Sequence, residues 1–397
     1  MTGQRAYLDH NASAPLLAQA RAAMLDALDS ANPSSVHGEG RAARRLIERA
    51  RGQVAALVGG RAEGVVFSSG ATEAASMLLS PDWGEGRTPL RFSRLYVGAA
   101  DHPCMLKGGR FDAERVTVLP VGGDGLLNLA ALTAALAGHD DAEGRPLVAT
   151  HAANNETGVV QPWPEIAGIV SAAGGVFVLD AVQAAGRLPL DMEADGVDFT
   201  ILSSHKIGGP KGIGAVVARS DRTMPRPLIA GGGQERGFRG GTENVPAIAG
   251  FGAAAEAAVS RLASMERVAT LRARFEAALL ALAPDAVIHG RSAPRLPNTL
   301  FFTIPGIKAE TAQIAFDLAG VALSAGSACS SGKVGPSHVL RAMGVERGEG
   351  ALRISIGPET GEAELQRFER SLRLVVAKRQ APSENLWDEA PKVERRG

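Results

Sequence analysis

Apolar residues along this chain follow two rhythms. From about residue 50 to residue 220, short apolar runs alternate with stretches of helical spacing. The runs include Val65-Val-Phe-Ser, Leu147-Val-Ala-Thr, Val176-Phe-Val-Leu and Phe199-Thr-Ile-Leu; helix-like stretches such as Ala42 to Val58 and Glu165 to Ala173 separate some of them. This alternation predicts an α/β domain with a mostly parallel sheet flanked by helices. From Phe251 to about Ala283 the pattern predicts one long helix, with Leu262, Met265, Val268, Leu271, Phe275 and Leu279 at helical spacing and Pro284 ending it. Beyond it, Thr299-Leu-Phe-Phe-Thr-Ile, Val321-Ala-Leu and Leu352-Arg-Ile-Ser-Ile predict a smaller α+β domain. The expected division is a large domain over residues 13–250, a small one from residues 1–12 and 251–380, and a loose polar tail over 381–397. Residues 81–89, bounded by two prolines, look irregular.

Composition narrows the function classes. The 397 residues are enough for two domains with sizeable cores, and 45% hydrophobic with 21% charged residues is ordinary for a globular protein. Lys and Arg total 42, as do Asp and Glu, so the formal net charge is zero and no direct nucleic-acid binding is expected. No apolar run follows the N-terminus and none is long enough to span a membrane, so a cytoplasmic location is expected. Two cysteines, Cys104 and Cys329, make no disulfide framework, and both thiols are expected to be reduced. No metal site is expected.

Ligands of such sheets sit at the carboxyl ends of the strands, and several chemically able residues follow strand-like runs directly. Asp180 ends Val176-Phe-Val-Leu, where a carboxylate can face a ligand crevice or simply cap a helix. Lys206, in Ser203-Ser-His-Lys, lies just beyond the run Val197-Asp-Phe-Thr-Ile-Leu and before Gly208-Gly-Pro. Lysine is scarce here, which makes that position less ordinary. An amine there can reach a carbonyl held at the sheet edge as a Schiff base; a solvated loop lysine is the plain alternative. A carboxylate against a pyridinium nitrogen, paired with such a lysine, is what pyridoxal phosphate requires. Ser68-Ser-Gly-Ala-Thr-Glu follows another run, and its turn into a helix makes an anion site of the kind Thr72 would complete, or only a cap.

Cys329 stands in Ser324-Ala-Gly-Ser-Ala-Cys-Ser-Ser-Gly, a small, polar, glycine-rich segment that predicts a mobile surface loop. A cysteine there is either a reactive thiol or incidental. Cys104 sits in more apolar company, where a structural role is expected. His102 could stack on a cofactor or move protons, or be a satisfied core histidine. Asn154-Asn155 form a polar pair after a strand, where a turn is the plain reading. Arg353, inside an apolar strand, requires a partner: a substrate carboxylate or a structural ion pair.

Together these stretches resemble the cysteine desulfurases of the NifS/IscS type, within the class-V aminotransferases. The resemblance runs through Tyr7-Leu-Asp-His-Asn-Ala-Ser-Ala-Pro, Asn32-Pro-Ser-Ser-Val-His, Ser69-Gly-Ala-Thr-Glu and Asn154-Asn-Glu-Thr-Gly. It continues through Asp180-Ala-Val-Gln, Ser203-Ser-His-Lys-Ile-Gly-Gly-Pro-Lys-Gly-Ile-Gly, the glycine-rich run Gly231 to Asn244, Ser327-Ala-Cys-Ser and Arg353-Ile-Ser-Ile-Gly. It implies a fold-type I enzyme that uses pyridoxal 5'-phosphate to take sulfur from L-cysteine, leaving L-alanine. Lys206 would hold the cofactor, Asp180 would meet its ring nitrogen and Gln183 its phenolic oxygen. His102 would stack on the ring and shuttle protons. Ala71, Thr72, Ser203 and His205 would bind the phosphate, with Thr242 reaching it from the partner subunit of a homodimer. Asn155 and Arg353 would hold the substrate carboxylate. Cys329 would take the sulfur as a persulfide and pass it to an acceptor protein, such as an iron–sulfur cluster scaffold or a carrier. A selenocysteine lyase, another class-V aminotransferase or a non-catalytic cofactor-binding scaffold would share part of this set. Asp101 stands where the family has glutamate, and Ala-Ala-Ser after Glu73 where it has asparagine; neither change touches a residue with a direct chemical role.

Overall fold

A computed structural model describes residues 5–326, 337–345 and 350–380. Its main sheet is mixed. Parallel strands Val116–Leu119, Thr88–Gly98, Arg145–His151, Val176–Asp180 and Phe199–Ser203 form the centre. Antiparallel strands complete both sides: Gly214–Ala218 and Val65–Ser68 beyond Phe199–Ser203, and Asp82–Glu85 with Thr223–Pro225 beyond Thr88–Gly98.

The unbroken apolar runs have a direct cause. Side chains alternate across a strand, so a strand covered on both faces needs apolar residues at every position. In Val176–Asp180, Phe177 and Leu179 enter the core that the helices Gly38–Ala56, Trp163–Ala172 and Val245–Arg261 also line. Val176 and Val178 face the opposite core, which helix Ala71–Leu78 shares. The 81–89 stretch is not irregular. It contains a hairpin in which Glu85 pairs with Thr88 across a two-residue turn, Gly86 taking a φ of 59°. Its Trp83 is buried edge-on against Phe92 and Phe199.

A second core lies under a four-stranded antiparallel sheet of Val287–Ile288, Thr299–Thr303, Leu352–Ser355 and Ser324–Ala325, in that order. Phe275, Phe316 and Phe368 meet there from three helices. Ala6–Tyr7 pairs with Val321–Ala322, and Ala6 and Leu8 join this second core.

The single helix expected from Phe251 to Ala283 is instead two helices, Val245–Arg261 and Met265–Leu282, separated by one 3-10 turn at Leu262–Ser264. The first buries Ile248, Phe251 and Ala255 in the large core; the second buries Val268, Phe275 and Leu279 in the small one. The turn keeps αR backbone angles at Arg261, Leu262, Ser264 and Met265 and so preserves nearly helical apolar spacing, which is why the break left no mark in the pattern. Among the described residues, no helix is long and apolar enough to cross a membrane.

Candidate active site

Two strand ends define the site. Asp180 is the last residue of its strand and is 7% exposed. The Val182 N–H donates to its Oδ1 at 3.0 Å. Burial lifts its carboxyl from 3.8 to about 6, against the opposing pull of the Val182 bond, His151 and Lys206. One strand over, Phe199–Ser203 runs into a single turn, Ser204–Lys206, that brings Lys206 off the sheet. Lys206 Nζ donates to the carbonyls of Asn11 at 2.6 Å and Ala12 at 3.0 Å. The chain closes tightly behind it: a Cβ on Gly209 would lie 2.1 Å from Ser204 Oγ.

Both residues open onto a cavity of about 570 Å³. Ala71, Thr72, His102, Asn155, Gln183, Ser203, His205 and Arg353 line the same cavity. Thr242 does not: it is exposed, in the glycine-rich run of its own chain. Cys329 lies outside the described residues.

At one end of the cavity, strand Val65–Ser68 turns through Ser69 and Gly70 into helix Ala71–Leu78. A Cβ on the facing Gly214 would sit 2.8 Å from the Gly70 Cα, so backbone packs on backbone there. The first amides of a helix lack intrahelical acceptors, and its dipole favours an anion. Glu73 ties the turn down, accepting from the Ser69 N–H at 2.9 Å and Arg239 Nε at 3.0 Å. Burial alone would raise its carboxyl; these partners outweigh burial, and the net shift is downward.

Burial first, then the charge of Lys206, pushes both His102 and His205 down to about 4, so both rings are neutral near pH 7. His102 Nδ1 accepts from the Cys104 N–H at 3.2 Å and lies 3.0 Å from Cys104 Sγ. Cys104, expected in a structural role, therefore stands on the cavity wall beside that ring.

Arg353 is 2% exposed within its strand. Its Nη2 donates to Asp9 Oδ1 at 2.8 Å and Ser324 Oγ at 3.2 Å, and its Nη1 to the Asn155 carbonyl at 2.8 Å. Of the two partners its sequence position required, the structure supplies the ion pair, through Asp9, while the guanidinium still lines the cavity.

Sequence reasoning missed several supports. Asp101 is fully buried; it accepts from the Gly98 N–H at 2.7 Å, Thr150 Oγ1 and the His151 N–H at 3.0 Å, and His151 Nδ1. It thus ties the strand before His102 to the strand beside Asp180. A carboxylate and a histidine, each ending an apolar run, were visible as separate residues but not as a pair. Asn11 acts through its backbone carbonyl, which no side-chain pattern reveals.

The donor set fits pyridoxal phosphate: a primary amine at Lys206, a buried carboxylate at Asp180 for a ring nitrogen, and a helix start with Thr72, Ser203 and His205 for a phosphate. Comparison with known proteins agrees. The family model for class-V aminotransferases matches residues 6–368. The chain is 38% identical over 388 residues to cysteine desulfurase 2 of Trichormus variabilis, covering 97% of this chain and 96% of that one. Among solved structures, a NifS-like protein of Rickettsia africae superposes with a TM-score of 0.85 at 32% identity, covering 94% of this chain and all of the other. SspA in complex with cysteine superposes with a TM-score of 0.72 at 28% identity, over 89% of this chain and 99% of the other. The chain belongs to the class-V aminotransferase family, among its cysteine desulfurases, and that family depends on pyridoxal 5'-phosphate.

Proposed function

We propose that this protein is a cysteine desulfurase that takes sulfur from L-cysteine and releases L-alanine. The observation that carries the reading is the opening of Lys206, Asp180 and Arg353 onto one cavity, in a chain whose relatives are cysteine desulfurases. When bound, pyridoxal phosphate draws electrons away from the Cα of the amino acid attached to it.

The chain's own groups do the rest. Lys206 Nζ would anchor the cofactor and, as a free amine, would take the Cα proton of the substrate. Asp180 would stay ionised beside a protonated ring nitrogen, whose charge would supply the partner that burial denies it. Neutral His102 would lie over the ring and accept or return a proton. Ala71, Thr72, Ser203 and His205 hold the phosphate, and Thr242 adds a hydroxyl from the partner subunit of a homodimer. Arg353, fixed by Asp9, and Asn155 hold the substrate carboxylate. The Cys329 thiolate attacks the substrate sulfur; the new S–S bond forms as the C–S bond breaks, leaving a persulfide. An acceptor protein then receives that sulfur, for cluster assembly or another thiolation, in the cytoplasm.

The test is to incubate the purified protein with L-cysteine and pyridoxal phosphate and to measure sulfide and alanine together. One alanine should form per sulfur transferred. Lys206→Ala should fold, retain cofactor only loosely and make neither product. Borohydride labelling of a different lysine in the wild type would overturn the assignment.

A further inference from the structure

Gln183 lines the cavity, and the groups behind it leave its amide one orientation. Arg187 Nη1 donates to Gln183 Oε1 at 2.9 Å, and Gln183 Nε2 donates to the Asn11 carbonyl at 3.0 Å. A guanidinium only donates and a carbonyl only accepts, so a flipped amide would lose both bonds at once. An amide nitrogen carries two N–H groups, and Asn11 takes one. The other is left for the cavity. The same Asn11 oxygen also accepts from Lys206 Nζ at 2.6 Å, so the amide nitrogen and the lysine amine converge on one atom.

Arg187 itself is 7% exposed. Its remaining bonds go to the carbonyls of Gln183 at 2.6 Å and Lys206 at 3.2 Å. Among the described residues no carboxylate acts on it; burial, then the like charge of Arg353, draws its guanidinium down to about 10. A buried cation bonded only to neutral oxygens is costly unless an anion arrives close by.

We propose that Arg187 is a positioning residue. It locks Gln183 as a hydrogen-bond donor and aims an unpaired positive charge at a ligand oxyanion held beside Lys206. The idea rests on the function proposed above, with the oxyanion being the phenolic ring oxygen of pyridoxal phosphate, which Gln183 would meet. Donor and charge together favour the deprotonated oxygen, so the linkage between Lys206 and the cofactor gives up its proton at lower pH. The other charged or titratable groups that face this corner are Lys206 itself, Asp180, His10, His102, Arg353 and Asp9. None of them donates to Gln183 Oε1.

The experiment reconstitutes wild type, Arg187→Met, Arg187→Lys and Gln183→Glu with pyridoxal phosphate. It records the visible absorption band against pH, the cofactor dissociation constant and the far-UV circular dichroism. A wild type with no visible band would sink the proposed function itself. Given that band, Arg187→Met should move the pH midpoint upward by about one unit and weaken cofactor binding roughly tenfold. Arg187→Lys keeps the charge but not the forked geometry, so its midpoint should fall between wild type and Arg187→Met. Gln183→Glu keeps a partner for Arg187 but offers only oxygens, so its midpoint should move as far as that of Arg187→Met or farther. It also guards against an Arg187→Met protein that does not fold. A folded Gln183→Glu or Arg187→Met protein with the wild-type midpoint and wild-type cofactor affinity would overturn the proposal.

Discussion

Replacing Asp180 by asparagine should stabilise the cofactor-free protein and weaken its hold on the cofactor. Asparagine keeps the oxygen that accepts from the Val182 N–H at 3.0 Å and fills the same volume, so the change isolates the charge. Burial raises the carboxyl from 3.8 to about 6. A carboxyl that binds its proton more tightly in the folded state loses stability as pH climbs from the unfolded value toward the folded one. Each pH unit of that difference is worth about 1.4 kcal/mol, so the ionised Asp180 costs the empty protein up to about 3 kcal/mol at pH 8 and about half of that at pH 5. Urea unfolding of the two apo proteins, followed by tryptophan fluorescence, should give Asp180→Asn the higher midpoint at pH 8 and a narrower gap at pH 5. With saturating pyridoxal phosphate the order should reverse, because the ring cation compensates the wild-type carboxylate and the variant has no charge to offer. A variant less stable than wild type when empty at pH 8, or a gap that ignores pH, would refute the reasoning.

Arg353→Lys should lower kcat/KM for L-cysteine about 10- to 100-fold, mainly through KM, because a lysine cannot bridge Asp9, Asn155 and a substrate carboxylate together; an unchanged KM would remove it from substrate binding. Cys329→Ser should bind cofactor and L-cysteine yet lose several powers of ten in persulfide formation, checked by alkylation and mass spectrometry. Near-normal sulfide release without added thiol would count against it. Mixing inactive Lys206→Ala with inactive Thr242→Ala under subunit exchange should restore one working site per mixed dimer; no recovery despite proven exchange would exclude a shared site.

Much of the candidate site was legible in the sequence because its chemistry is tied to local events. Asp180 ends an apolar strand, Lys206 and Thr72 come within four residues of the end of one, and a strand buried on both faces announces itself over four or five consecutive residues. Where such a run stops and a polar residue begins, the sheet ends and a crevice opens, whatever the distant contacts are. The partners of those residues were decided only in three dimensions. Arg353 meets Asp9 from 344 positions away, a separation at which no periodicity carries information. Lys206 and Gln183 are fixed by the carbonyl of Asn11, and every residue has a carbonyl, so composition cannot mark this one. The break at Leu262–Ser264 was equally silent, because both helices need the same apolar spacing while burying it in different cores. Cys104 illustrates the same division: its apolar neighbours suggested the interior, and it does pack against a core, but the turn at His102 also puts it on the cavity wall with its sulfur 3.0 Å from His102 Nδ1. Side-chain type and local order settle which chemistry the chain can do, whereas hydrogen-bond partners depend on which distant backbone the packed cores bring within 3 Å.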